Sequence, residues 1–318
     1  MIKVAIIGAA GYTGGELLRI LLNHPQVNSI SAVSRSNAGK KIYAVHTDLF
    51  GETEMTFANE FNSVDVVFLC MGHGESEKWL NENQPDAKTK IIDLSQDFRS
   101  QKSGFVYGLP ELQKENIISS GKIANPGCFA TAIQLALLPA VKNNSVNGTV
   151  NISAVTGSTG AGQSLSATSH FTWRNGNHSA YKQLDHQHLN EIGMNLSALN
   201  KNFTNEIHFI PQRGSFTRGI HASAWFESGA SLEELEKLYR EFYSAHPFIH
   251  LSENEIDIKQ VVNTNKCLLH IAKKEKTAII TSVIDNLLKG ASGQAVQNMN
   301  LLFGFEETSG LKLKPSAY

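Results

Sequence analysis

The sequence predicts an α/β protein of two domains, the first built on a parallel sheet and the second an α+β domain with a mixed, largely antiparallel sheet. A chain of 318 residues is long enough for two domains that each bury a core. Its N-terminal half alternates short apolar strands with helices, which is typical of a parallel sheet covered on both faces. Its C-terminal half has longer strands and one clear helix, which favours a sheet with helices on one face.

The individual elements follow from these patterns. In the N-terminal half we predict a helix from about Gly14 to near Pro25, and strands at 2–7, 27–34, 64–70, 89–95 and 121–126. In the C-terminal half we predict helices at 231–246 and 291–305, and strands at 148–155, 206–212, 219–227 and 276–284.

Composition excludes several classes of partner. The chain has 41% hydrophobic and 18% charged residues, and its 28 basic residues are balanced by 29 acidic ones. This balance gives no electrostatic reason to expect nucleic acid or a membrane as partner. The longest apolar runs, of about ten residues, are too short to span a bilayer. With no secretory leader and three widely spaced cysteines, the sequence predicts a cytoplasmic protein without disulfides.

A glycine motif follows the first predicted strand directly. Gly8, Gly11 and Gly14 let the backbone turn tightly and approach a pyrophosphate, which the following helix N-terminus attracts. The motif predicts a Rossmann-type dinucleotide site that includes these glycines together with Tyr12 and Thr13. The alternative is a tight turn with no ligand.

The end of the second predicted strand indicates which dinucleotide binds. A site selective for NAD places an acidic residue there, for the ribose 2′-hydroxyl. This chain has Ser34 and Arg35 instead, a hydroxyl and a guanidinium that suit a 2′-phosphate. The sequence therefore favours NADP(H), although a solvated loop is the simpler interpretation and fits Lys40 and Lys41.

One of the three cysteines, Cys128, lies at the junction between a turn and a predicted helix. Cys128 follows an Asn-Pro-Gly turn and precedes a periodic apolar run, so it lies at the start of a predicted helix. The helix dipole stabilises a thiolate there, and the N–H groups of the first turn can hold an oxyanion. The alternative, a small buried hydrophobe, fits Cys70 and Cys267 better. Cys128 is the candidate nucleophile.

A set of segments along the whole chain carries a resemblance to a known family. They are "GAAGYTGGELLRIL", "DLSQDFR", "YGLPEL", "NPGCFAT", "GSTGAG", "RGI" and "IDNLLKGASGQAVQNMN". In this order they resemble N-acyl-γ-glutamyl-phosphate reductases, the arginine-pathway relatives of aspartate-semialdehyde dehydrogenase. The resemblance implies NADPH-dependent reduction of an acyl phosphate to a semialdehyde through a thioester on Cys128. One departure is Phe129-Ala130, where many relatives have Tyr-Pro.

The resemblance also implies the catalytic histidine. "LDHQHLNEI" matches the family's His-x-His stretch, with His186 as the catalytic residue and His188 as a substrate contact. If this stretch is already helical, residues two apart point about 200° away from each other and only one faces the thiol. His208 and His221 are lesser candidates. We expect no metal site, because no third ligand has suitable spacing.

The remaining site residues are assigned partly by charge and partly by resemblance. Arg218 matches the family's substrate-binding arginine, and Arg99 is a second candidate that could equally form a structural salt bridge. The expected further cofactor contacts are Ser158, Gly160 and Gly162 in "GSTGAG" and Asn286 in "IDN".

These observations give a domain division and a set of competing functions. We expect a dinucleotide-binding domain of residues 1–127, completed by 286–318, and a catalytic and dimerisation domain of residues 128–285. A homodimer or homotetramer is expected from the extended second sheet. The alternatives are another N-acyl substrate such as N-succinyl, an aspartate-semialdehyde dehydrogenase, or a non-catalytic NADP-binding redox sensor.

Overall fold

The structure, a computed structural model, describes residues 1–316 and divides into two units. The first unit comprises Met1–Gly127 and Ala291–Lys312, and the second comprises Cys128–Gly290 and residues 313–316. The strands are β1 (Ile2–Ile7), β2 (Val27–Val33), β3 (Val66–Leu69), β4 (Lys90–Asp93), β5 (Val106–Tyr107), β6 (Lys122–Ala124), β7 (Asn147–Thr156), β8 (Ser179–Ala180), β9 (Ile207–Arg213), β10 (Ile220–Glu227), β11 (Ile249–Ser252), β12 (Cys267–Lys274) and β13 (Thr277–Ile284). The helices are α1 (Tyr12–Leu21), α2 (Glu75–Glu82), α3 (Pro110–Ile118), α4 (Cys128–Lys142), α5 (Phe171–Arg174), α6 (His188–Leu199), α7 (Leu232–Tyr243) and α8 (Ser292–Leu302).

The first unit contains a six-stranded sheet in the order β2-β1-β3-β4-β6-β5, and every pair in it is parallel. This confirms the parallel α/β domain. Strand β3 is buried throughout, as a parallel sheet covered on both faces requires. Strand β5 was not predicted, because its two residues are too few to show a pattern. Helix α8 packs into this unit, where Ser292 donates a hydrogen bond to the carbonyl of Thr13 (2.9 Å).

The second unit contains a seven-stranded sheet in the order β11-β12-β13-β10-β7-β9-β8. Four of its six pairings are antiparallel and two, β11–β12 and β7–β9, are parallel. The predicted mixed, largely antiparallel sheet is therefore confirmed. Burial alternates along β10, so one face of the sheet is covered by α4 and the other is partly exposed. Strands β8, β11 and β12 and helix α6 were not predicted.

Helix α4 is buried on every side from Phe129 to Val141 and contains Pro139. Proline has no N–H, so the carbonyl of Leu135, four residues earlier, loses its helical partner. Two tyrosines on α7 supply hydrogen bonds instead. Tyr243 donates its hydroxyl to the carbonyl of Leu135 (2.6 Å), and Tyr239 donates to Ala136 (2.5 Å). Helix α7 thus supplies a donor to the Leu135 carbonyl, which the proline leaves without its helical partner.

The second boundary between the units differs from the predicted one. Residues 286–290 belong to the second unit, not to the first. The turn at 285–290 is held there, because Asn286 accepts a hydrogen bond from the main-chain N–H of Gly219 (2.8 Å) and Gly290 donates to the carbonyl of Asp285 (2.9 Å). Residues 313–316 also belong to the second unit, where the main-chain N–H of Ser316 donates to the carbonyl of Val262 (3.3 Å).

The α7 contacts lead to a stability prediction. Tyr243→Phe should lower the free energy of unfolding by about 1–3 kcal/mol, because the carbonyl of Leu135 would be buried without a partner. Urea denaturation followed by circular dichroism measures the change. Tyr43→Phe is the control, since the ring of Tyr43 packs edge-on against Phe50 (5.2 Å between centroids) in the first unit. Equal stability of the two variants would contradict this account of the helix.

Candidate cofactor and catalytic sites

The glycine motif forms the loop between β1 and α1. Gly8 has φ +81°, and a Cβ there would collide with the carbonyl oxygen of Cys70. A Cβ at Gly14 would lie 2.6 Å from Cα of Ala9, so α1 can approach the loop only without a side chain. Gly11 is different, because a Cβ there would meet only the carbonyl oxygen of Gly8 at an ordinary 3.5 Å. The protein itself does not need a glycine at 11, which is consistent with room kept for a dinucleotide.

A histidine that the sequence analysis missed supports this loop. The buried ring of His46 makes a hydrogen bond to the carbonyl of Ala9 (Nε2 to O, 2.8 Å). The same ring closes over Gly15, where a Cβ would lie 2.6 Å from it. His46 therefore stabilises the loop by a hydrogen bond to Ala9 and by packing against Gly15. The two residues His46 and Ala9 are 37 positions apart, and no local sequence pattern predicts this contact.

A cleft with a volume of about 1140 Å³ lies beside the loop in the first unit. Its lining includes Gly8, Ser34, Arg35 and Ser36, together with Phe61 and Trp79. Aromatic side chains in the lining, with a hydroxyl and an exposed guanidinium at the end of β2, suit the adenosine half of a dinucleotide. The residues present fit such a cofactor.

Tyr12 and Thr13 are the other two residues of the loop predicted to contact the dinucleotide. Tyr12 begins α1 and is exposed. Thr13 makes a side-chain hydrogen bond to the thiol of Cys70. Although Cys70 as a residue is only partly covered, burial of its thiol raises the pKa to about 12, so it stays protonated at neutral pH.

Cys128 is the first residue of α4, as the sequence predicts. The next residue, Phe129, brings a ring cluster to this end of the helix. Its ring lies edge-on to His186 (5.6 Å between centroids) and close to His188 (6.2 Å) and Phe209 (5.3 Å). The thiol therefore begins a helix whose second residue is packed directly against both predicted histidines.

His186 precedes α6 and is buried. Its Nδ1 accepts the main-chain N–H of His188 (3.3 Å), one of the donors left unpaired at a helix start. Because that N–H can only donate, a neutral His186 carries its own proton on Nε2. Burial lowers the pKa of His186 to about 4, assisted by the positive charges of Lys182 and Arg213. At pH 7 His186 is therefore a neutral hydrogen-bond donor.

His188 lies against His186, with 4.6 Å between ring centroids. The condition under which only one of the pair would face the thiol is not met, because α6 begins at His188 and His186 lies before the helix. Nε2 of His188 is 3.8 Å from a carboxylate oxygen of Glu191, one turn further along α6. The two histidines thus differ in their electrostatic surroundings.

Two residues that the sequence analysis missed complete this cluster. Tyr181 lies 5.7 Å from the ring of His186, and the guanidinium of Arg213 lies over the ring of Tyr181 at 4.9 Å. Burial, together with the negative charge of Cys128, raises the pKa of Tyr181 to about 12, so its hydroxyl is a donor at neutral pH. The alternation of β9 turns Arg213 to the same side as the buried Phe209.

Arg218 and Asn286 meet at the ends of β10 and β13. Arg218 Nε donates to Oδ2 of the buried Asp285 (3.1 Å). Both ends of the Asn286 amide are engaged, since Oδ1 accepts from Gly219 N (2.8 Å) and Nδ2 donates to Thr159 Oγ1 (3.0 Å). Thr159 lies in "GSTGAG", whose predicted contacts Ser158, Gly160 and Gly162 range from half-buried to exposed.

Gly290 was not predicted and lies directly against Cys128. A Cβ at 290 would lie 2.8 Å from Cβ of Cys128 and 2.6 Å from the carbonyl oxygen of Asn286. Any larger residue would therefore push on the backbone or on the cysteine. The glycine in "LLKGAS" is visible in the sequence, but its closeness to residue 128 is not.

The weaker candidates lie elsewhere. Arg99, in the first unit, donates to the main-chain carbonyls of Asn125 (3.0 Å) and Leu94 (3.2 Å), so it joins strand ends. His208 pairs with Glu206 (3.1 Å) and is partly exposed. His221 is on the face of β10 opposite to the buried residues that contact α4. Within residues 1–316 no group of three or more His, Cys, Asp or Glu could hold a metal ion.

The second unit can therefore perform acyl chemistry. A thiol at a helix start, a neutral imidazole donor, a second imidazole next to a carboxylate and two arginines suit attack on an activated carbonyl of an anionic substrate.

Among the described residues, none of the helices has the length and apolar character that a membrane span requires.

Comparison with known proteins defines the class. The NAD-binding domain of semialdehyde dehydrogenases matches residues 3–120, and their dimerisation domain matches residues 128–286. Aspartate semialdehyde dehydrogenase II from Vibrio cholerae has the same fold, with a TM-score of 0.76 at 18% identity over 96% of this chain and 98% of that one. The Candida albicans enzyme, solved with NADP, gives a TM-score of 0.70 at 14% identity over 95% and 98%. The protein is an oxidoreductase of the semialdehyde dehydrogenase class, with a nicotinamide dinucleotide cofactor.

Relatives of higher identity define the family. A protein of Christiangramia forsetii is 57% identical over 317 residues, 99% of each chain. One from Flavobacterium johnsoniae is 56% identical over 325 residues, 100% of each chain. Both are named N-acetyl-gamma-glutamyl-phosphate reductase. The chain belongs to this family, which confirms the resemblance of its motifs.

Proposed function

We propose that this enzyme reduces N-acetyl-γ-glutamyl phosphate to N-acetylglutamate 5-semialdehyde and phosphate, with NADPH as reductant, in arginine biosynthesis. The observation that carries the proposal is Cys128 at the start of α4, packed through Phe129 against His186 and His188. The full-length likeness to named reductases supports the choice of substrate. It also disfavours a redox sensor, as does a Cys70 thiol too weakly acidic to act as resolving thiolate.

Cys128 is the proposed nucleophile. Its thiolate attacks the acyl carbon, a C–S bond forms, and the C–O bond to phosphate breaks so that phosphate leaves with the electron pair. When bound, NADPH would supply the hydride that reduces the resulting thioester carbon. The C–S bond then breaks, the aldehyde forms, and the electron pair returns to sulfur. Every step develops negative charge on oxygen or sulfur next to Cys128.

The neighbouring side chains stabilise that charge. His186, with its proton on Nε2, is the proposed catalytic histidine and donates a hydrogen bond to the developing anion. His188, whose Nε2 lies 3.8 Å from a carboxylate oxygen of Glu191, is proposed to contact the substrate. Arg218 is proposed to bind a substrate carboxylate. Arg99 stays a weaker substrate candidate, because part of its guanidinium serves main-chain carbonyls.

The cofactor is proposed to be NADP(H), held by the loop Gly8–Gly14 and by Ser34 and Arg35. Ser158, Gly160, Gly162 and Asn286 are proposed as further contacts with it.

We also propose a homodimer or homotetramer, in which the partly exposed face of the second sheet, with Ile210 and Ile279 at its surface, packs against another copy. Three free cysteines support a cytoplasmic location.

The nucleophile is tested by trapping. With acyl phosphate and no NADPH, the wild-type enzyme should accumulate a thioester on Cys128, detectable by intact-protein mass and removed by hydroxylamine. Cys128→Ser should lose nearly all activity and retain NADPH affinity, since a serine hydroxyl is not ionised at neutral pH. Cys70→Ser is the matched control and should form the adduct normally. An adduct mapped to another cysteine would refute the mechanism.

The substrate is tested in the reverse direction. Phosphate-dependent NADPH formation should be fastest with N-acetylglutamate semialdehyde, slower with the N-succinyl compound, and slowest with aspartate semialdehyde. Another order of kcat/KM would reassign the substrate.

The two histidines should separate kinetically. His186→Asn should lower kcat by about 10²–10⁴-fold, whereas His188→Asn should act mainly on substrate KM. The wild type should also lose stability as pH falls from 6.5 towards 4. In this range His186 binds a proton in the unfolded chain but stays neutral in the folded protein, where its pKa is about 4. His186→Asn should remove that part of the acid destabilisation. A large kcat loss confined to His188→Asn would reverse the assignment.

Cofactor preference depends on Arg35. The enzyme should use NADP(H) at least about tenfold better than NAD(H) in kcat/KM, and Arg35→Ala should abolish most of this preference, since one charged hydrogen bond contributes about 1.5–3 kcal/mol. Lys40→Ala is the control, because that amine donates to Asn37 (3.1 Å) and does not line the cleft. An unchanged preference in Arg35→Ala would contradict the prediction.

A further inference from the structure

Asp285, just after β13, is a carboxylate with 0% of its surface exposed. A charge buried to this degree is tolerated only when ion pairing and hydrogen bonds replace its hydration. Oδ2 accepts from Arg218 Nε (3.1 Å) and from the main-chain N–H of Asn263 (2.7 Å), and Arg218 Nη2 lies 3.0 Å from it. Oδ1 accepts the main-chain N–H groups of Leu287 (2.8 Å) and Leu288 (3.2 Å). The carboxylate thus links three separate segments of the second unit.

The first consequence concerns the direction of Arg218. Two nitrogens of its guanidinium meet a single carboxylate oxygen, which fixes the plane of the group. An arginine side chain otherwise has many rotamers, and ordering it on binding costs affinity. Asp285 has already ordered it in the folded protein. Arg218 therefore presents a fixed donor geometry to an incoming anion.

The second consequence concerns the turn at 285–290. Both carboxylate-bound N–H groups belong to this turn, and Gly290 closes it on the carbonyl of Asp285 (2.9 Å). Gly290 is the residue on which Cβ of Cys128 rests. One acidic side chain therefore shapes both the arginine and the backbone against the thiol.

We propose that Asp285 is a positioning residue, which acts on the substrate through Arg218. This inference rests on the proposed function, in which Arg218 binds an anionic group of the substrate. Asp285 itself touches no substrate. Its function is to hold the guanidinium so that substrate binding does not have to order it.

A double-mutant cycle tests the dependence on Arg218. Asp285→Asn and Arg218→Ala should each raise KM for the semialdehyde about 10- to 100-fold, the range for loss of a hydrogen bond to a charged group, and change KM for NADP⁺ little. The double variant should resemble Arg218→Ala alone, because Asp285 has then lost the group through which it acts. Additive losses, or a loss of stability with unchanged KM, would show a merely structural role.

The matched control is Asp93→Asn. Asp93 is equally inaccessible, belongs to the first unit and accepts a hydrogen bond from the hydroxyl of Ser95 (2.8 Å). Burial raises the pKa of its carboxyl group, so an amide is a mild replacement. This variant should leave KM for the semialdehyde unchanged. An equal rise in KM there would overturn the specific role of Asp285.

Chemical rescue decides the case in which Asp285→Asn does not fold. Free guanidinium ion, at concentrations well below denaturing ones, should restore part of the activity of Arg218→Ala, because the Asp285 carboxylate remains to orient it. Ammonium ion should restore less, since it lacks the planar set of donors. Equal rescue by the two ions, or none by guanidinium, would overturn the proposal.

A chemical label separates this inference from the substrate assignment. Phenylglyoxal should modify Arg218 slowly in the wild type and several-fold faster in Asp285→Asn, with the exposed Arg35 as internal standard by peptide mass spectrometry. This readout requires no turnover. If the wild type forms no NADPH from the semialdehyde, the proposed function fails and the label still decides. Equal labelling of Arg218 in both proteins refutes the positioning role.

Discussion

Burial of α4 on all sides is the constraint on which the second unit is built. The helix contacts the sheet through β10 and β13, and α6 and α7 cover it from other directions. A helix so enclosed cannot leave main-chain groups unpaired, and the carbonyl of Leu135, which loses its partner at Pro139, accepts the hydroxyl of Tyr243 on α7. The packing around α4 also determines the position of its first residue, Cys128. The position of the thiol therefore depends on contacts made throughout the second unit.

Charge is organised around this helix start in two different ways. In the ring cluster, burial and nearby cations hold His186 neutral, so its contribution is a directed N–H rather than a positive charge. At the ends of β10 and β13 the buried carboxylate of Asp285 is compensated by the partly exposed Arg218 and by main-chain donors. Neutral donors can stabilise an anion as it forms without binding it strongly beforehand. A fixed cation is better suited to hold an anion that the substrate always carries.

The first unit shows which glycines of the motif serve the fold and which leave room for a ligand. Gly8 and Gly14 are required by the backbone around them, and His46 extends that requirement to Gly15. Gly11 is not required in this way. The motif can therefore differ from the common spacing and still form a dinucleotide loop. The two close contacts of the turn, Gly8 with Cys70 and Gly14 with Ala9, both fall on glycines.

The sequence by itself determined the elements that carry strong periodicity: the parallel strands, the long strands of the second sheet, the capped helix α7 and the helix begun by Cys128. It also determined the family, because the motifs are local strings of residues. Contacts between distant segments were decided only by the tertiary structure. Tyr181, Arg213, Asp285 and Gly290 have no local pattern that marks them, and short edge strands such as β5 and β8 are too brief to show one. Even the relation of His186 to His188 depended on where α6 begins, because one residue of helix more or less rotates a side chain by about 100°.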